Sequence, residues 1–142
     1  MEIETQKEKN INLIFEGEYL YGKEWDGKGY NPKNNNIEYT LNKGKGYIKE
    51  YDDDGKLEFE GEYLNGERNG KGKEYKHETL IFEGEYLNGK KWNGKGFDNN
   101  NKVYELKNGN GFVREFNNNT SLKFEGEYLN GERNGKGKEY NK

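Results

Sequence analysis

Apolar and polar residues alternate in short runs along most of the chain, and Asn-Gly and Gly-x-Gly sequences separate the runs. In residues 59–64, Phe-Glu-Gly-Glu-Tyr-Leu, a period of two places Phe59 and Tyr63 on one face and both glutamates on the other. Such alternation is typical of a half-buried β-strand. A turn over residues 65–69 and a return strand over residues 70–75 complete one predicted β-hairpin.

The hairpin pattern repeats along the chain. The pentapeptide Phe-Glu-Gly-Glu-Tyr occurs four times, at residues 15–19, 59–63, 82–86 and 124–128. A second marker, Gly-x-Gly, occurs six times and begins at Gly27, Gly44, Gly70, Gly94, Gly109 and Gly135. Two units, at residues 37–51 and 102–116, therefore lack the pentapeptide and are degenerate. Self-similarity of this kind indicates a repeat protein.

The six units form a duplicated triplet, because the order of intact and degenerate units is the same in both halves. We predict a polar N-terminal segment with the lead-in to the first strand at residues 1–14, followed by the repeat array at 15–142. The array divides into triplets at 15–81 and 82–142. The predicted fold is all-β: an elongated, single-layer, twisted antiparallel meander of about six β-hairpins, with twelve strands in one sheet.

The predicted turn also sets an expected register. If it pairs Tyr63 with Gly72, an aromatic ring covers a residue that has no side chain, which restores packing. In the same register Glu62 opposes Lys73, which is a favourable cross-strand pair.

Composition changes the picture in two ways. Only 28% of the residues are hydrophobic but 15% are aromatic, so we expect the chain to fold around rings. The net charge is only −3, which disfavours nucleic acid as a partner and also argues against attraction to anionic membrane lipid. The first residues lack the pattern of a secretory signal, and we therefore predict a cytoplasmic location, with membrane or cytoskeletal association left open.

The sequence offers little for catalysis. His77 and Ser121 are the single histidine and serine, and both are predicted in links between hairpins. The acidic link at residues 52–55 has contiguous rather than alternating oxygen ligands and lacks the closing glutamate of a calcium loop. We therefore expect no enzyme activity, no cofactor and no bound metal.

Residues 61–72, Gly-Glu-Tyr-Leu-Asn-Gly-Glu-Arg-Asn-Gly-Lys-Gly, resemble the MORN (membrane occupation and recognition nexus) repeat. That repeat has Gly-x-aromatic, then x-x-Gly, a basic position and Gly-x-Gly, and the match recurs at residues 17–29, 84–96 and 126–137. The resemblance implies a ribbon of antiparallel hairpins that is not itself a catalyst. Members of the family have been linked to membrane attachment, dimerisation and gripping of a partner's peptide or helix. Trp25 and Trp92 depart from the pattern. We predict that they replace the basic turn residue, which is Arg68 or Arg133 in other units.

The favoured function is a non-enzymatic scaffold or protein-interaction module that holds a peptide, a helix or a second copy of the chain along an aromatic groove. The alternatives are a peripheral membrane or phosphoinositide-binding module and the accessory repeat domain of a longer enzyme. A homodimer through open sheet edges is also predicted. For the tryptophans, capping of the degenerate hairpin that follows is the competing interpretation. The candidate contact residues are Tyr19, Trp25, Tyr63, Tyr86, Trp92 and Tyr128.

Overall fold

The computed structural model describes residues 12–117 and 121–141, and it forms twelve β-strands and no helix there. Residues 1–11 of the predicted N-terminal segment lie outside the described residues, as do 118–120 and 142. The strands are β1 (Phe15–Leu20), β2 (Lys23–Tyr30), β3 (Ile37–Leu41), β4 (Gly46–Tyr51), β5 (Leu57–Leu64), β6 (Glu67–Lys76), β7 (Thr79–Leu87), β8 (Lys90–Asp98), β9 (Asn101–Leu106), β10 (Gly111–Phe116), β11 (Leu122–Leu129) and β12 (Glu132–Glu139).

The strands pair antiparallel with their neighbours in the sequence, in three sheets of order β1-β2-β3, β4-β5-β6-β7-β8-β9 and β10-β11-β12. The prediction of an all-β protein made of antiparallel hairpins is confirmed. The prediction of one continuous sheet is wrong, because the strand pairing is interrupted inside both degenerate units. The interruptions lie at equivalent places in the two triplets.

A single isolated bridge joins the two strands at each interruption, between Asn42 and Lys45 in the first triplet. A side chain at Gly46 would collide with the carbonyl oxygen of Thr40, so glycine allows the two backbones to approach closely at this point. The strands then separate, and the aliphatic side chains on either side of the turn are buried. Gly111 occupies the same position against the carbonyl oxygen of Glu105 in the second triplet.

Each intact hairpin closes in a two-residue turn rather than over the five residues that we predicted. Asn65 and Gly66 have φ angles of 55° and 77°, and Glu67 already belongs to β6. Positive φ at both central residues is the type I′ geometry, whose twist matches that of the flanking strands. The Asn-Gly sequence suits this turn because both residues tolerate the left-handed conformation.

The narrower turn changes the register. Tyr63 pairs with Arg68 rather than with Gly72, and Gly72 pairs with Gly61. The ring that covers Gly72 is that of Phe59, and a side chain at Gly72 would collide with it. The expectation that a ring covers glycine therefore stands, but the ring belongs to phenylalanine.

The predicted charge pair between Glu62 and Lys73 is also wrong. Lys73 lies opposite Glu60 on one side and Glu83 on the other, and its Nζ is 3.8 Å from Glu83 Oε2. Glu62 instead accepts a hydrogen bond from the backbone N–H of Lys71 at 2.8 Å, where the β6 backbone bulges. The carboxylate thus satisfies a donor that the bulge leaves without a ladder partner.

The core lies on one face of the hairpins and divides into two clusters. The smaller one consists of Phe15, Leu41 and Ile48, and Tyr63 packs against both clusters. The larger one consists of Phe59, Phe82, Tyr86, Tyr104, Leu106 and Val113. Rings dominate the larger cluster, as the composition predicted, whereas the smaller one combines a single buried ring with two aliphatic side chains. The part of the chain that is described contains no helix that could cross a lipid bilayer.

Candidate functional site

Two hollows open on the face that carries the buried rings, which we call the aromatic face. The N-terminal hollow has a volume of about 580 Å³ and the C-terminal hollow one of about 400 Å³. Their linings share equivalent residues across the duplication, with Tyr39, Glu50 and Tyr63 in the first and Tyr104, Glu115 and Tyr128 in the second. The two hollows are therefore built around the same tyrosine and glutamate positions of the two triplets.

Tyrosine hydroxyls donate to carboxylates along the aromatic face. Tyr63 donates to Glu50, and Tyr128 donates to Glu115 in the same way. Burial, together with the hydrogen bond to Glu50, raises the pKa of Tyr63, because ionisation would place a second negative charge beside the carboxylate. The hydroxyls therefore stay protonated at neutral pH and hold the carboxylates in fixed positions.

Arg68 connects the two hollows. Its guanidinium lies 3.0 Å from Glu50 Oε1 and 3.4 Å from Glu74 Oε1, and it stacks 4.0 Å above the centre of the Phe59 ring. Planar stacking and forked donors are the properties that distinguish arginine from lysine. Arg133 repeats the arrangement at the end of the array, on Glu115 at 2.8 Å.

The two hollows differ in the residue that pairs with the tyrosine of the pentapeptide. That partner is Lys91 opposite Tyr86 in the C-terminal hollow, but Glu24 opposite Tyr19 in the N-terminal one. Lys91 Nζ lies 3.7 Å from Glu74 Oε1 and 3.5 Å from the hydroxyl of Tyr104. The C-terminal hollow therefore contains an internal ammonium group among its carboxylates.

Glu24 places a further carboxylate in the corresponding position. It accepts a hydrogen bond from the Tyr39 hydroxyl at 2.8 Å. Burial raises the pKa of Glu24, the Tyr39 hydrogen bond opposes that shift, and the nearby charge of Glu50 adds to it. Two carboxylates thus share the N-terminal hollow without an internal ammonium group between them.

The wider linings follow the same division. The N-terminal hollow is acidic, with four carboxylates and two ammonium groups: Glu24, Glu50, Asp52, Asp53, Lys23 and Lys49. The C-terminal hollow is basic, with six cations and three carboxylates: Arg68, Lys76, Lys90, Lys91, Arg114, Lys123, Glu74, Asp98 and Glu115. One repeated scaffold therefore presents two hollows of opposite charge on one face.

Trp25 and Trp92 do not replace the basic turn residue, and that prediction is wrong. They are additional residues, because Trp25 has no partner in β1, where Tyr19 pairs with Glu24 and Glu18 pairs with Asp26. The indole of Trp25 packs against Gly44, whose N–H donates to the Trp25 carbonyl at 2.6 Å. These contacts match the capping interpretation, since Gly44 is the turn glycine of the degenerate hairpin that follows.

The six candidate contact residues occupy different environments. Tyr63 and Tyr128 are half-buried in the hollows, whereas Tyr86 is 4% exposed and belongs to the core. Tyr19 is 59% exposed on β1, at the edge of its sheet. Trp25 and Trp92 are half-buried beside the turns. The hollows thus bring together Tyr63, Tyr86 and Tyr128 with charged residues, and leave the tryptophans outside.

No protein-family model, curated protein or solved structure matches the chain. The site is therefore interpreted from its geometry. In residues 12–117 and 121–141, no three histidine, aspartate or glutamate side chains gather as ligands for a metal ion. His77 lies exposed in the turn between β6 and β7, at the rim of the C-terminal hollow.

The charged residues of the hollows were missed at the level of sequence, although a signal for them exists. Four residues separate Gly22 from Gly27, but three separate Gly66 from Gly70. The additional residue is the tryptophan. Counted from the turn glycine, the residue at the position of Arg68 is therefore Glu24. Counting this spacing would have identified the residue opposite each tyrosine.

Proposed function

We propose that the chain is a MORN-type repeat array and acts as a non-enzymatic binding module. Its aromatic face holds an extended or helical segment of a partner protein that lies across both hollows. The observation that carries this proposal is the pair of equivalent hollows with opposite charge on one face. Concave sites that combine apolar walls with a few fixed polar groups are the usual form of a binding site.

The charges set an orientation for the partner segment. Basic side chains of the partner lie over the N-terminal hollow, where carboxylates outnumber ammonium groups in the lining. Acidic side chains lie over the C-terminal hollow, near Lys91 and Lys123. Charge complementarity of this kind contributes more to orientation and to the rate of encounter than to affinity.

Peptide selection tests the proposal without knowledge of the partner. A random peptide library displayed on phage is enriched on the immobilised chain, and the enriched peptides are added to the isotopically labelled protein. We expect the amide signals of residues around Tyr63 and Tyr128 to shift in the NMR spectrum. Signals on the opposite face, around Tyr47, serve as the internal control.

A charge variant then tests the orientation. Lys49→Glu and Arg114→Glu alter equivalent positions at the two hollows, and we expect the second change to weaken binding of an acidic peptide end more strongly. Shifts confined to the Tyr47 face, or failure to enrich any peptide, would contradict binding along the aromatic face.

A further inference from the structure

The two terminal strands of the array have the same sequences as two strands that pair with each other inside it. Residues 13–20, which include β1, are identical to residues 80–87 of β7, and residues 132–140, which include β12, are identical to residues 67–75 of β6. The β6–β7 pair is a continuous part of the central sheet. The chain thus displays, at its two sheet edges, both halves of a joint that it already forms internally.

Neither outer edge has a partner strand among residues 12–117 and 121–141, because β1 pairs with β2 alone and β12 pairs with β11 alone. An open strand edge presents unpaired N–H and C=O groups to another strand. We propose that β12 of one copy of the chain pairs antiparallel with β1 of a second copy, in the register of the internal β6–β7 pair. The copies then join head to tail.

The side chains of the internal pair show what the joint would contain. Lys71 pairs with Glu85 and Lys73 pairs with Glu83, so two lysines of β6 face two glutamates of β7. In the joint, Lys136 faces Glu18 and Lys138 faces Glu16 of the next copy. The two edges are therefore complementary in charge, whereas two β12 edges or two β1 edges would place like charges together.

The exposed ring on β1 gives an independent reason for the joint. Tyr19 is 59% exposed, whereas its counterpart Tyr86 is 4% exposed, because Tyr86 is covered by β6 and contacts the Phe59 ring at a centroid distance of 5.3 Å. The joint places Tyr19 against Phe124 of the neighbouring copy in the same manner. It therefore buries a ring that the single chain leaves open to water.

The hydrogen bonds that tyrosine hydroxyls and backbone N–H groups form across the internal pair can also form in the joint. Tyr86 donates to Glu74 at 2.6 Å, and Glu139, the counterpart of Glu74, is exposed on β12 and held at 3.1 Å by Arg133. The turn glycine Gly89 donates its N–H to the Arg68 carbonyl at 2.8 Å across the internal pair. Gly22 would donate to the Arg133 carbonyl across the joint.

One position opposes the joint. Lys91 forms an ion pair with Glu74 across the internal pair, but its counterpart is Glu24, which would meet Glu139 of the other copy. This like-charge contact makes the joint weaker than the internal pair. It also provides a substitution, Glu24→Lys, that should strengthen association by about threefold.

The joint is heterologous, because it uses different surfaces of the two copies. Repetition of such a contact produces an open series or a closed ring, rather than a symmetric pair. In sedimentation velocity over a concentration series, we expect species larger than a dimer to form as the concentration rises. Association that stops at a dimer, or a chain that remains monomeric at millimolar concentration, would overturn the proposal.

Disulfide trapping tests the direction and the register. The chain contains no cysteine, so Glu18→Cys and Lys136→Cys each introduce a single thiol. We expect a covalent dimer when the two variants are mixed under mild oxidation, and none from either variant alone. Glu18→Cys mixed with Lys138→Cys is the register control, because Cβ atoms two residues out of register lie about 7–8 Å apart, beyond disulfide reach. Equal trapping in either single variant would overturn the head-to-tail arrangement.

Tyr19→Ser tests the buried ring. Because Tyr19 is largely exposed in the single chain, we expect the variant to keep its thermal unfolding midpoint at high dilution and to lose association by about tenfold or more. Tyr21→Asn is the matched control, because Tyr21 is a more exposed ring that occupies the position of Asn88 in the internal turn. Unchanged association in Tyr19→Ser would contradict the joint, and it would leave binding along the aromatic face unaffected.

Discussion

The N-terminal and C-terminal hollows are built by the same backbone and the same tyrosine–glutamate pairs, yet they carry opposite charge. The equivalent position opposite the pentapeptide tyrosine shows the difference directly, because it is Glu24 in the first hollow and Lys91 in the second. In the second hollow the lysine neutralises its surroundings, and in the first the glutamate adds to the negative charge. Repetition therefore fixes the tyrosine–glutamate pairs of the site, while substitutions and the residues of neighbouring strands set its charge.

Lys91→Glu places in the C-terminal hollow the carboxylate that Glu24 provides at the equivalent position of the N-terminal one, and we expect the largest effect from it. The carboxylate would face Glu74, whose ion pair with Lys91 would be lost. Because the Lys91 side chain is only about one quarter exposed, we expect the free energy of unfolding to fall by about 2 kcal/mol. Urea denaturation measures this change.

Lys91→Met is the matched control, because it keeps the length of the side chain and removes only the charge. We expect it to be less destabilising than Lys91→Glu. Equal stability of Lys91→Glu and the wild-type chain would show that the hollow does not depend on the internal ammonium group.

Glu24→Gln makes the opposite change in the N-terminal hollow, and its expected effect is smaller. The variant removes one of two neighbouring carboxylates and keeps the hydrogen bond from Tyr39. We expect an increase in the free energy of unfolding of about 0.5 kcal/mol at pH 7. The increase should disappear in acid, where the wild-type carboxyl is already protonated. A decrease at pH 7 would indicate that Glu24 is stabilising as an anion.

Titration provides the finest comparison of the two hollows. Burial raises the pKa of Glu24, whereas at Glu115 the hydrogen bonds from Arg133 and Tyr128 outweigh burial and lower the pKa. The stability that Glu24 contributes is therefore present at low pH and is lost as the pH rises through its folded pKa. The contribution of Glu115 has the opposite sign and is lost as the pH falls through its folded pKa.

The carboxyl carbon shifts of a labelled sample report both titrations in one NMR experiment. We expect Glu24 to titrate at a higher pH than Glu115. The reverse order would mean that the Arg133 ion pair is not maintained in solution, or that the environment of Glu24 is more polar than its burial suggests.

Much of the fold could be predicted from the sequence because its signals are local. Alternation along residues 59–64 identified the strand and its two faces, and Asn65-Gly66 identified the position of the turn. The interruptions of the sheet could not be predicted, because they depend on how closely Gly46 approaches the Thr40 carbonyl. That distance results from the packing of several strands.

The site was less predictable for a similar reason. A shift of one residue moves a side chain to the other face, so the additional Trp25 decides which residue of β2 lies opposite Tyr19. Recurrence identified Tyr63 and Tyr128 but also Tyr86, which is buried against the rings of Phe59 and Phe82. Identical residues in a repeat therefore receive different roles from their neighbours.

Every strand in the described sheets pairs only with strands adjacent to it in the sequence. Contacts between distant parts of the chain are therefore few for an all-β protein, which corresponds to a low contact order and favours rapid folding. Structure can begin at any hairpin and spread outwards one strand at a time. Unfolding then starts at the ends of the array, and hydrogen exchange should be slowest in the strands around β6 and β7.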